Sequence, residues 1–159
     1  MGVLLMQKKD AASEALLLVL QTAKNRLEFL TQNDWMLIVD RAKRFYFKKD
    51  DVLIHQNRSN KVIYLLCSGK VHVQATPKAV IATLGAGEIC GEMAFLEGGV
   101  ASASVAAVED VEAYAIEWLA LKDLFELFPH LGSRFYRSLA VGLSRRLREQ
   151  LLSRQTATP

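Results

Sequence analysis

The sequence contains few of the residues that build disulfide frameworks, metal centres or catalytic sites. Its 159 residues include two cysteines, with no Cys-x-x-Cys pair, and three widely separated histidines. Both cysteines, Cys67 and Cys90, lie in apolar strand-like segments, which is typical of buried free thiols in a reducing compartment. No His and Glu residues have the spacing of a metal-binding cupin, and no nucleophile elbow is present. We therefore expect a protein that is not an enzyme and needs no metal or cofactor.

Long apolar runs and a strong charge of one sign are missing as well. The longest apolar run near the N-terminus, Ala15–Leu20, is far shorter than the roughly 20 residues that cross a bilayer. No small-residue cleavage site follows it, so we expect neither a signal peptide nor a membrane span. A net charge of +3, with 51% hydrophobic and 23% charged residues, is ordinary for one globular domain. The expected location is the cytoplasm.

Helical spacing of apolar residues is present in the first part of the chain. From Ala11 the leucines recur at intervals of three and four residues, which predicts an amphipathic helix to about Leu30. Thr31, with an acid three residues later, forms a capping-box variant that opens a second helix. The prediction is therefore helices over residues 11–43, preceded by a flexible segment over residues 1–10.

The middle of the chain, residues 44–117, has the pattern of short strands separated by turns. Apolar and polar residues alternate around Val71 and Val73, so these two side chains share one face of a strand. The predicted strands are Arg44–Lys49, Val52–His55, Lys61–Ser68, Lys70–Gln74, Ala79–Leu84, Val100–Ala107 and Glu112–Glu117. Short strands with frequent turns are typical of a sandwich or a barrel.

Beyond the strands the helical spacing returns. Leu119–Phe128 has the pattern of a short helix, and Pro129 suits the first position of the next one. Leucines and aromatic residues then recur about every four residues, which predicts a long amphipathic helix. We expect helices over residues 119–154 and a disordered tail over residues 155–159.

One glycine-rich stretch, Gly85–Ala107, is the most distinctive part of the sequence. Gly91 and Glu92 precede an apolar segment of about one helical turn, which Gly98 ends. Small residues in a strand-like period of two then follow over Val100–Ala107. Backbone N–H groups at the start of such a turn would point towards an anion, with the positive end of the helix dipole behind them. The stretch therefore predicts a cradle for an anionic ligand.

On these residues the chain resembles the cyclic-nucleotide-binding domain family, the sensor of bacterial catabolite activators, protein kinase A regulatory subunits and cyclic-nucleotide-gated channels. The family's phosphate cassette has the pattern Gly-Glu-(apolar)-Ala-(apolar)₂-x-Gly-x-Pro-Arg-(small)-Ala-Thr-Val-x-Ala. The corresponding residues, hereafter the cassette, are Gly91-Glu92-Met93-Ala94-Phe95-Leu96-Glu97-Gly98-Gly99-Val100-Ala101-Ser102-Ala103-Ser104-Val105-Ala106-Ala107. Two positions depart from the pattern, because Val100 replaces the proline and Ala101 replaces the phosphate-binding arginine.

The resemblance runs from about Leu27 to Leu152 and implies a mainly β fold with flanking helices. That fold is an eight-stranded double-sheet jelly roll with a one-turn cassette helix, N-terminal helices and a long C-terminal helix. The family usually has glycines in the turns after its first and second strands, where Asp51 and Asn57 stand here. Asp and Asn tolerate the left-handed backbone best among the other residues, so these turns are expected to be kept.

The resemblance also implies which residues bind a ligand. Glu92 would accept a hydrogen bond from the ribose 2′-hydroxyl, and the backbone N–H groups of Met93 and Ala94 would contact the phosphate. The alternative role for Glu92 is a cap at the start of the cassette helix. The implied ligand-binding residues are Gly91, Glu92, Met93, Ala94, Ala101, Ser102 and Ala103.

Two hypotheses are open for the function. In the first, the chain senses cAMP or cGMP, its C-terminal helix moves over the ligand, and Ala101 weakens the affinity unless Arg134 or Arg137 replaces the missing arginine. In the second, the domain has lost its ligand and uses the C-terminal helix to form a homodimer or to dock an effector domain. Transcription factors of the family continue into a helix-turn-helix, for which this sequence leaves no room, so we expect no DNA binding.

Overall fold

Eight strands form two antiparallel sheets, and helices flank one of them. A computed structural model of the chain describes residues 14–76 and 78–157. The strands are β1 (Lys43–Phe47), β2 (Val52–Ile54), β3 (Val62–Ser68), β4 (Val71–Thr76), β5 (Ala79–Leu84), β6 (Ile89–Cys90), β7 (Ser104–Ala107) and β8 (Val111–Glu117). The helices are α1 (14–22), α2 (Gln32–Asp40), α3 (Glu92–Glu97), α4 (Trp118–Leu127) and α5 (Pro129–Ala157).

The order of the strands is β1-β8-β3-β6 in one sheet and β2-β7-β4-β5 in the other. This topology confirms the predicted eight-stranded, double-sheet jelly roll with a short cassette helix and a long C-terminal helix. In the described part of the chain, no helix combines the length and the apolarity that crossing a membrane requires.

Two clusters of buried side chains hold the layers together. One lies between the two sheets and contains Leu66 of β3, Val71 of β4 and Val105 of β7. The other lies between the first sheet and the helices, and it contains Ile63 and Leu65 of β3 together with residues of α1, α2, α4 and α5. Because side chains alternate across a strand, β3 supplies both clusters. Burial on both faces explains why its sequence is almost continuously apolar.

The N-terminal region differs from the prediction beyond α1. The helix ends at residue 22, and the chain continues in turns where a helix to Leu30 was predicted. Leu27 and Leu30 are buried all the same, and the Leu30 N–H donates to the Leu27 carbonyl at 3.3 Å. Tight turns can bury residues at the same spacing as a helix, so the leucine pattern did not distinguish the two. Asn25, a weak helix former, instead donates a side-chain hydrogen bond of 3.2 Å to Glu88.

The helix α5 extends further than predicted. Residues 155–157 are helical where a disordered tail was predicted. The reason is that no proline occurs between Pro129 and Pro159, so the sequence has no strong signal to end the helix. The predicted flexible segment at residues 1–10 and the last two residues, 158–159, lie outside the described residues.

Two turns between the first strands have a left-handed backbone at residues other than glycine. Asn57 has φ 66°, as expected from its place in the second turn. In the first turn the left-handed residue is Asp50, with φ 74°, and not the neighbouring Asp51. The carboxylate of Asp51 has another task, because it accepts a hydrogen bond of 2.8 Å from the Lys48 N–H and so closes the turn.

An ion pair between a partly exposed arginine and a buried carboxylate fixes the first half of α5 to α2. Arg134 donates two hydrogen bonds of 2.7 Å to the carboxylate of Asp34, which also accepts from the Thr31 N–H in the predicted capping box. Burial would raise the pKa of Asp34, but the hydrogen bonds from Arg134 and Thr31 outweigh it and hold the pKa below its ordinary value. One turn later, the Ser138 hydroxyl accepts from the Phe29 N–H at 3.0 Å.

The Asp34–Arg134 pair is expected to stabilise the fold more than an exposed pair on the same helix. Arg134→Ala should lower the free energy of unfolding at neutral pH by about 1.5–3 kcal/mol, because it removes two hydrogen bonds to a buried carboxylate. Arg145→Ala is the control: Arg145 lies 3.0 Å from Glu28 with 56% of its side chain exposed, so its loss should cost less than about 1 kcal/mol. Urea unfolding of both variants measures the difference.

The effect of Arg134→Ala should also depend on pH. The pKa of Asp34 is lowered in the folded state, so its contribution is present above the ordinary value of 3.8 and is lost as the pH falls through the lowered value. The difference between the wild type and Arg134→Ala should therefore shrink in acid. A difference that stays constant from pH 7 to pH 3 would contradict this account.

Two glycines should respond in opposite ways to alanine. Gly87 has φ 85°, and a Cβ there would collide with the carbonyl oxygen of Val19 and the Cβ of Ala23. Gly87→Ala should therefore destabilise the fold by about 2–5 kcal/mol. Gly142 lies within α5 with no atom near the place of a Cβ, so Gly142→Ala should stabilise it by about 0.5–1 kcal/mol. Thermal unfolding of the two variants tests the pair, and a loss of stability in Gly142→Ala would show the second half of the prediction to be wrong.

Candidate functional site

The cassette lines a small cavity of about 70 Å³ that is open to solvent. All seven residues that the sequence singled out line this cavity: Gly91, Glu92, Met93, Ala94, Ala101, Ser102 and Ala103. Strand residues such as Val73 and Leu84 form its apolar wall, and Arg146 of α5 reaches it from the helical side. The structure thus brings the predicted residues together, and their contact with a ligand stays a prediction.

Gly91 determines how the chain enters the cavity. Its φ of 93° belongs to the left-handed region, and a Cβ would lie 2.8 Å from the Val62 carbonyl oxygen and 3.2 Å from Asn60 Nδ2. Conformation and space therefore both require glycine at this position. The turn that Gly91 makes between β6 and α3 places Glu92 at the cavity as the first residue of α3.

Glu92 is an acidic side chain in a site where burial opposes its charge. The residue is 7% exposed. Burial raises the pKa of its carboxyl, while a backbone hydrogen bond and the charge of Arg146 lower it by less. Arg146 Nη1 lies 3.5 Å from Glu92 Oε1, a looser contact than the 2.7 Å between Arg134 and Asp34. The carboxylate is therefore only partly compensated and suited to accept a hydrogen bond from a hydroxyl group.

The opposite wall of the cavity is made of small residues. Ala101 is 5% exposed, and two backbone hydrogen bonds fix it to the turn after β2, from Ala101 N to Arg58 O at 3.1 Å and from Asn57 N to Ala101 O at 2.8 Å. These bonds take residue 101 out of the strand, so β7 begins only at Ser104 and not at the predicted Val100. The side chain at position 101 thereby faces the cavity.

Ser102 and Ser104 have different environments. The Ser104 hydroxyl accepts a hydrogen bond of 3.0 Å from the Gln56 N–H and so joins β7 to the end of β2. Ser102 is exposed and lines the cavity, and its carbonyl accepts from the Gln56 side chain at 3.2 Å. Ser104 therefore has a structural role, and Ser102 is the serine that a ligand could reach.

The basic residue at the cavity is not one that the sequence suggested. Arg134 is bonded to Asp34, and the guanidinium carbon of Arg137 lies 4.0 Å from the centre of the Phe29 ring. Both proposed substitutes for the missing arginine are therefore directed away from the cassette, and Arg146 lines the cavity instead. A signal was present in the sequence, because Arg146 follows the buried Leu139 by seven residues and so lies on the same face of the helix.

An aromatic cluster connects α3 to α5. The ring of Phe95 in α3 lies 5.7 Å from the ring of Trp118, 6.1 Å from that of Phe135 and 6.2 Å from that of Tyr136. Aromatic rings at these separations attract each other and pack as a unit. The ring of Phe95 therefore joins α3 to α5 by direct contact.

Nothing in the described part of the chain has the arrangement of a metal site, since no three His, Cys, Asp or Glu residues there could hold an ion together. Both cysteines are unpaired. Burial raises the pKa of the Cys90 thiol beneath the cavity, and it also raises that of the half-buried Cys67. Raised pKa values keep both thiols protonated at neutral pH and make them poor nucleophiles.

The buried charge of Glu92 is expected to lower the stability of the ligand-free protein. Its pKa is raised in the folded state, so the free energy of unfolding falls as the pH rises above the ordinary value of 4.5. Glu92→Gln should therefore be more stable than the wild type at pH 7, by on the order of 1 kcal/mol, and the gain should disappear below pH 4.5. Urea unfolding at pH 7 and pH 4 measures this.

The matched control is Glu97→Gln, which removes an exposed charge from the same helix and should change the stability by less than about 0.5 kcal/mol at either pH. If Glu92→Gln were less stable than the wild type at pH 7, the carboxylate would be better compensated than its surroundings indicate.

Two proteins of other organisms have sequences similar to this chain. Cyclic GMP-binding protein C of Dictyostelium discoideum is 30% identical over 128 residues, which make up 78% of this chain and 5% of that protein. The Cyclic AMP receptor protein of Thermus thermophilus is 36% identical over 114 residues, 67% of this chain and 50% of that protein. The chain thus spans about half the length of the second relative and a small part of the first.

Solved structures share the fold. The Thermus thermophilus Catabolite Activator Protein has a TM-score of 0.67 and 30% identity, over 82% of this chain and 61% of that chain. A cyclic nucleotide-binding domain from Methylobacillus flagellatus has a TM-score of 0.73 and 22% identity, over 96% of this chain and 85% of that one. The family model described as the cyclic nucleotide-binding domain matches residues 44–127. Because this match takes in more than half of the sequence, the chain belongs to the cyclic nucleotide-binding domain family.

Proposed function

We propose that the chain is a non-catalytic sensor that binds a cyclic nucleotide in the cassette cavity. One observation carries the proposal: the cassette residues named from the family pattern meet at one cavity, which the buried carboxylate of Glu92 also lines. A buried and poorly compensated carboxylate costs stability, which is understandable if a ribose hydroxyl donates to it in the bound state. The names of the relatives, a cyclic AMP receptor and a cyclic GMP-binding protein, make both nucleotides the ligands to test.

The substitution at position 101 should weaken this binding. An arginine–phosphate contact is charge-assisted, and a hydrogen bond to a charged group contributes about 1.5–3 kcal/mol. Loss of such a contact corresponds to a weaker affinity by about 10- to 150-fold. Ala101 itself offers the phosphate no polar side-chain atom, so the remaining contacts would come from backbone N–H groups of α3 and from Ser102.

Binding would be coupled to α5 through two routes. Glu92 contacts Arg146 of α5, and Phe95, three residues later in α3, packs against Phe135 and Tyr136 of α5. A ligand that prefers one position of α5 would shift the population towards that position, because only a difference in affinity between two states moves their equilibrium.

A second candidate function is a protein-interaction module that has lost its ligand. Two observations favour it, the buried alanine at position 101 and the apolar residues at the far end of α5, where Leu147 is 59% exposed and Leu151 is 52% exposed. In this hypothesis α5 would dimerise or dock an effector, and the cavity would have no ligand. Binding measurements separate the two candidates.

Isothermal titration with cAMP and cGMP tests the proposal on the wild type, Ala101→Arg and Ala101→Met. We expect the wild type to bind one of the nucleotides, and Ala101→Arg to bind it about 10- to 150-fold more tightly. Ala101→Met is the control, because it fills the same space without a charge and should not gain affinity. If only Ala101→Arg binds, the second candidate function is favoured. If no variant binds either nucleotide, the ligand belongs to another class.

A further inference from the structure

We propose that Arg146 of α5 supplies the positive charge that contacts the phosphate, in place of the side chain at position 101. This inference rests on the proposed function, and it assigns to the final helix a contact that the cassette pattern places in the jelly roll. The wall of the cavity at Ala101 presents only a methyl group, whereas the guanidinium of Arg146 reaches the same cavity from the other side.

The charges at the cavity support this assignment. Among the described residues that line it, Arg146 is the one cation and Glu92 the one anion. Without Arg146 the buried carboxylate would repel a phosphate, and this repulsion is stronger in a partly desolvated cavity than in water. With Arg146 present the lining is neutral before the ligand binds. The cavity therefore depends on α5 for its ability to accept an anion.

The position of Arg146 is fixed by contacts on other faces of α5. Arg134 is bonded to Asp34, Arg137 covers the ring of Phe29, and Arg145 contacts Glu28 at 3.0 Å. These three arginines attach α5 to residues 28–34, which include the end of the segment before α2 and the first turn of α2. Arg146, the residue after Arg145, points about 100° further around the helix, and it lines the cavity. The attachment of α5 thus directs this one arginine to the cassette.

The contact between Arg146 and Glu92 leaves the guanidinium able to bind a second group. At 3.5 Å the ion pair is loose, and 41% of the Arg146 side chain is exposed. A guanidinium carries five N–H donors in a planar fork, so it can keep one edge on the carboxylate and present another to a phosphate. The same residue would then hold Glu92 in the ligand-free state and contact the nucleotide in the bound state.

This origin of the charge has a regulatory consequence. A phosphate-binding residue within the jelly roll adds affinity without favouring any position of α5. A phosphate contact from α5 adds affinity only in the state where the helix lies over the cavity, so the charge of the ligand itself would select that state. Ala101→Arg, which supplies a second cation from the jelly roll, should raise the affinity and make it less dependent on α5.

The test compares Arg146→Ala with Arg148→Ala, a control that removes an equal charge from an exposed position of the same helix outside the cavity. Each protein is titrated with cAMP and cGMP, and with adenosine and guanosine, which lack the phosphate. We expect Arg146→Ala to weaken binding of the cyclic nucleotide by about 10- to 150-fold and to leave nucleoside binding within about twofold of the wild type. The double variant Arg146→Ala/Ala101→Arg should recover the affinity.

Three results would overturn the inference. If Arg146→Ala binds the cyclic nucleotide as tightly as Arg148→Ala does, Arg146 does not contact the phosphate, although the proposed function stands. If nucleoside binding falls as much as cyclic-nucleotide binding, the effect of Arg146 does not depend on the phosphate. Arg146 then acts by holding Glu92 in position. If the wild type binds no cyclic nucleotide, the proposed function fails and the inference fails with it. Thermal unfolding of Arg146→Ala, expected to show one cooperative transition slightly below that of the wild type because Glu92 loses its partner, checks that the variant is folded.

Discussion

The central strands β3 and β8 of the sheet β1-β8-β3-β6 are covered on both faces, and the rest of the structure depends on this constraint. These strands supply side chains to two clusters, as β8 does with Ala113 towards the second sheet and Ile116 towards the helices. A strand buried on both sides cannot hold polar groups without partners. The polar groups at the cavity accordingly lie outside β3 and β8. The edge strand β6 leads to them, because Gly91 turns the chain after β6 into the cassette.

The residues at the cavity are ones that packing alone would not select. A glycine loses more conformational entropy on folding than any other residue. A carboxylate loses its favourable hydration when it is buried. Both lie together at the start of α3, a helix of only six residues that Phe95 fixes to the aromatic cluster. The stable sheets and helices around this point allow the local cost, because the energy lost there is small beside what the two buried clusters contribute.

The sequence predicted the fold better than it predicted the contacts of individual side chains. Period and turn signals located every strand except the two-residue β6, and the residues of the cassette pattern lie together at one cavity, because both depend on local chain geometry. The end of α1 was missed because turns bury leucines at helical spacing. Arg146 was missed because α5 carries several arginines, and the one that meets the cavity depends on how the helix packs against Asp34 and Phe29. Such packing joins residues far apart in the sequence. The only sequence signal for the position of Arg146 is its seven-residue spacing from Leu139.

The helix α5 is long, and its contacts with the N-terminal segment described above end at Arg145. A small rotation of the helix would therefore move its C-terminal end the furthest. From Arg145, which contacts Glu28, the helix continues to Ala157, a distance of about 18 Å at 1.5 Å per residue. A rotation of roughly 10° about Arg145 would move that end by about 3 Å, whereas Arg146, beside the pivot, would move by well under about 1 Å. If the proposed coupling holds, a small rotation of α5 near the cavity would become a larger displacement at its C-terminal end.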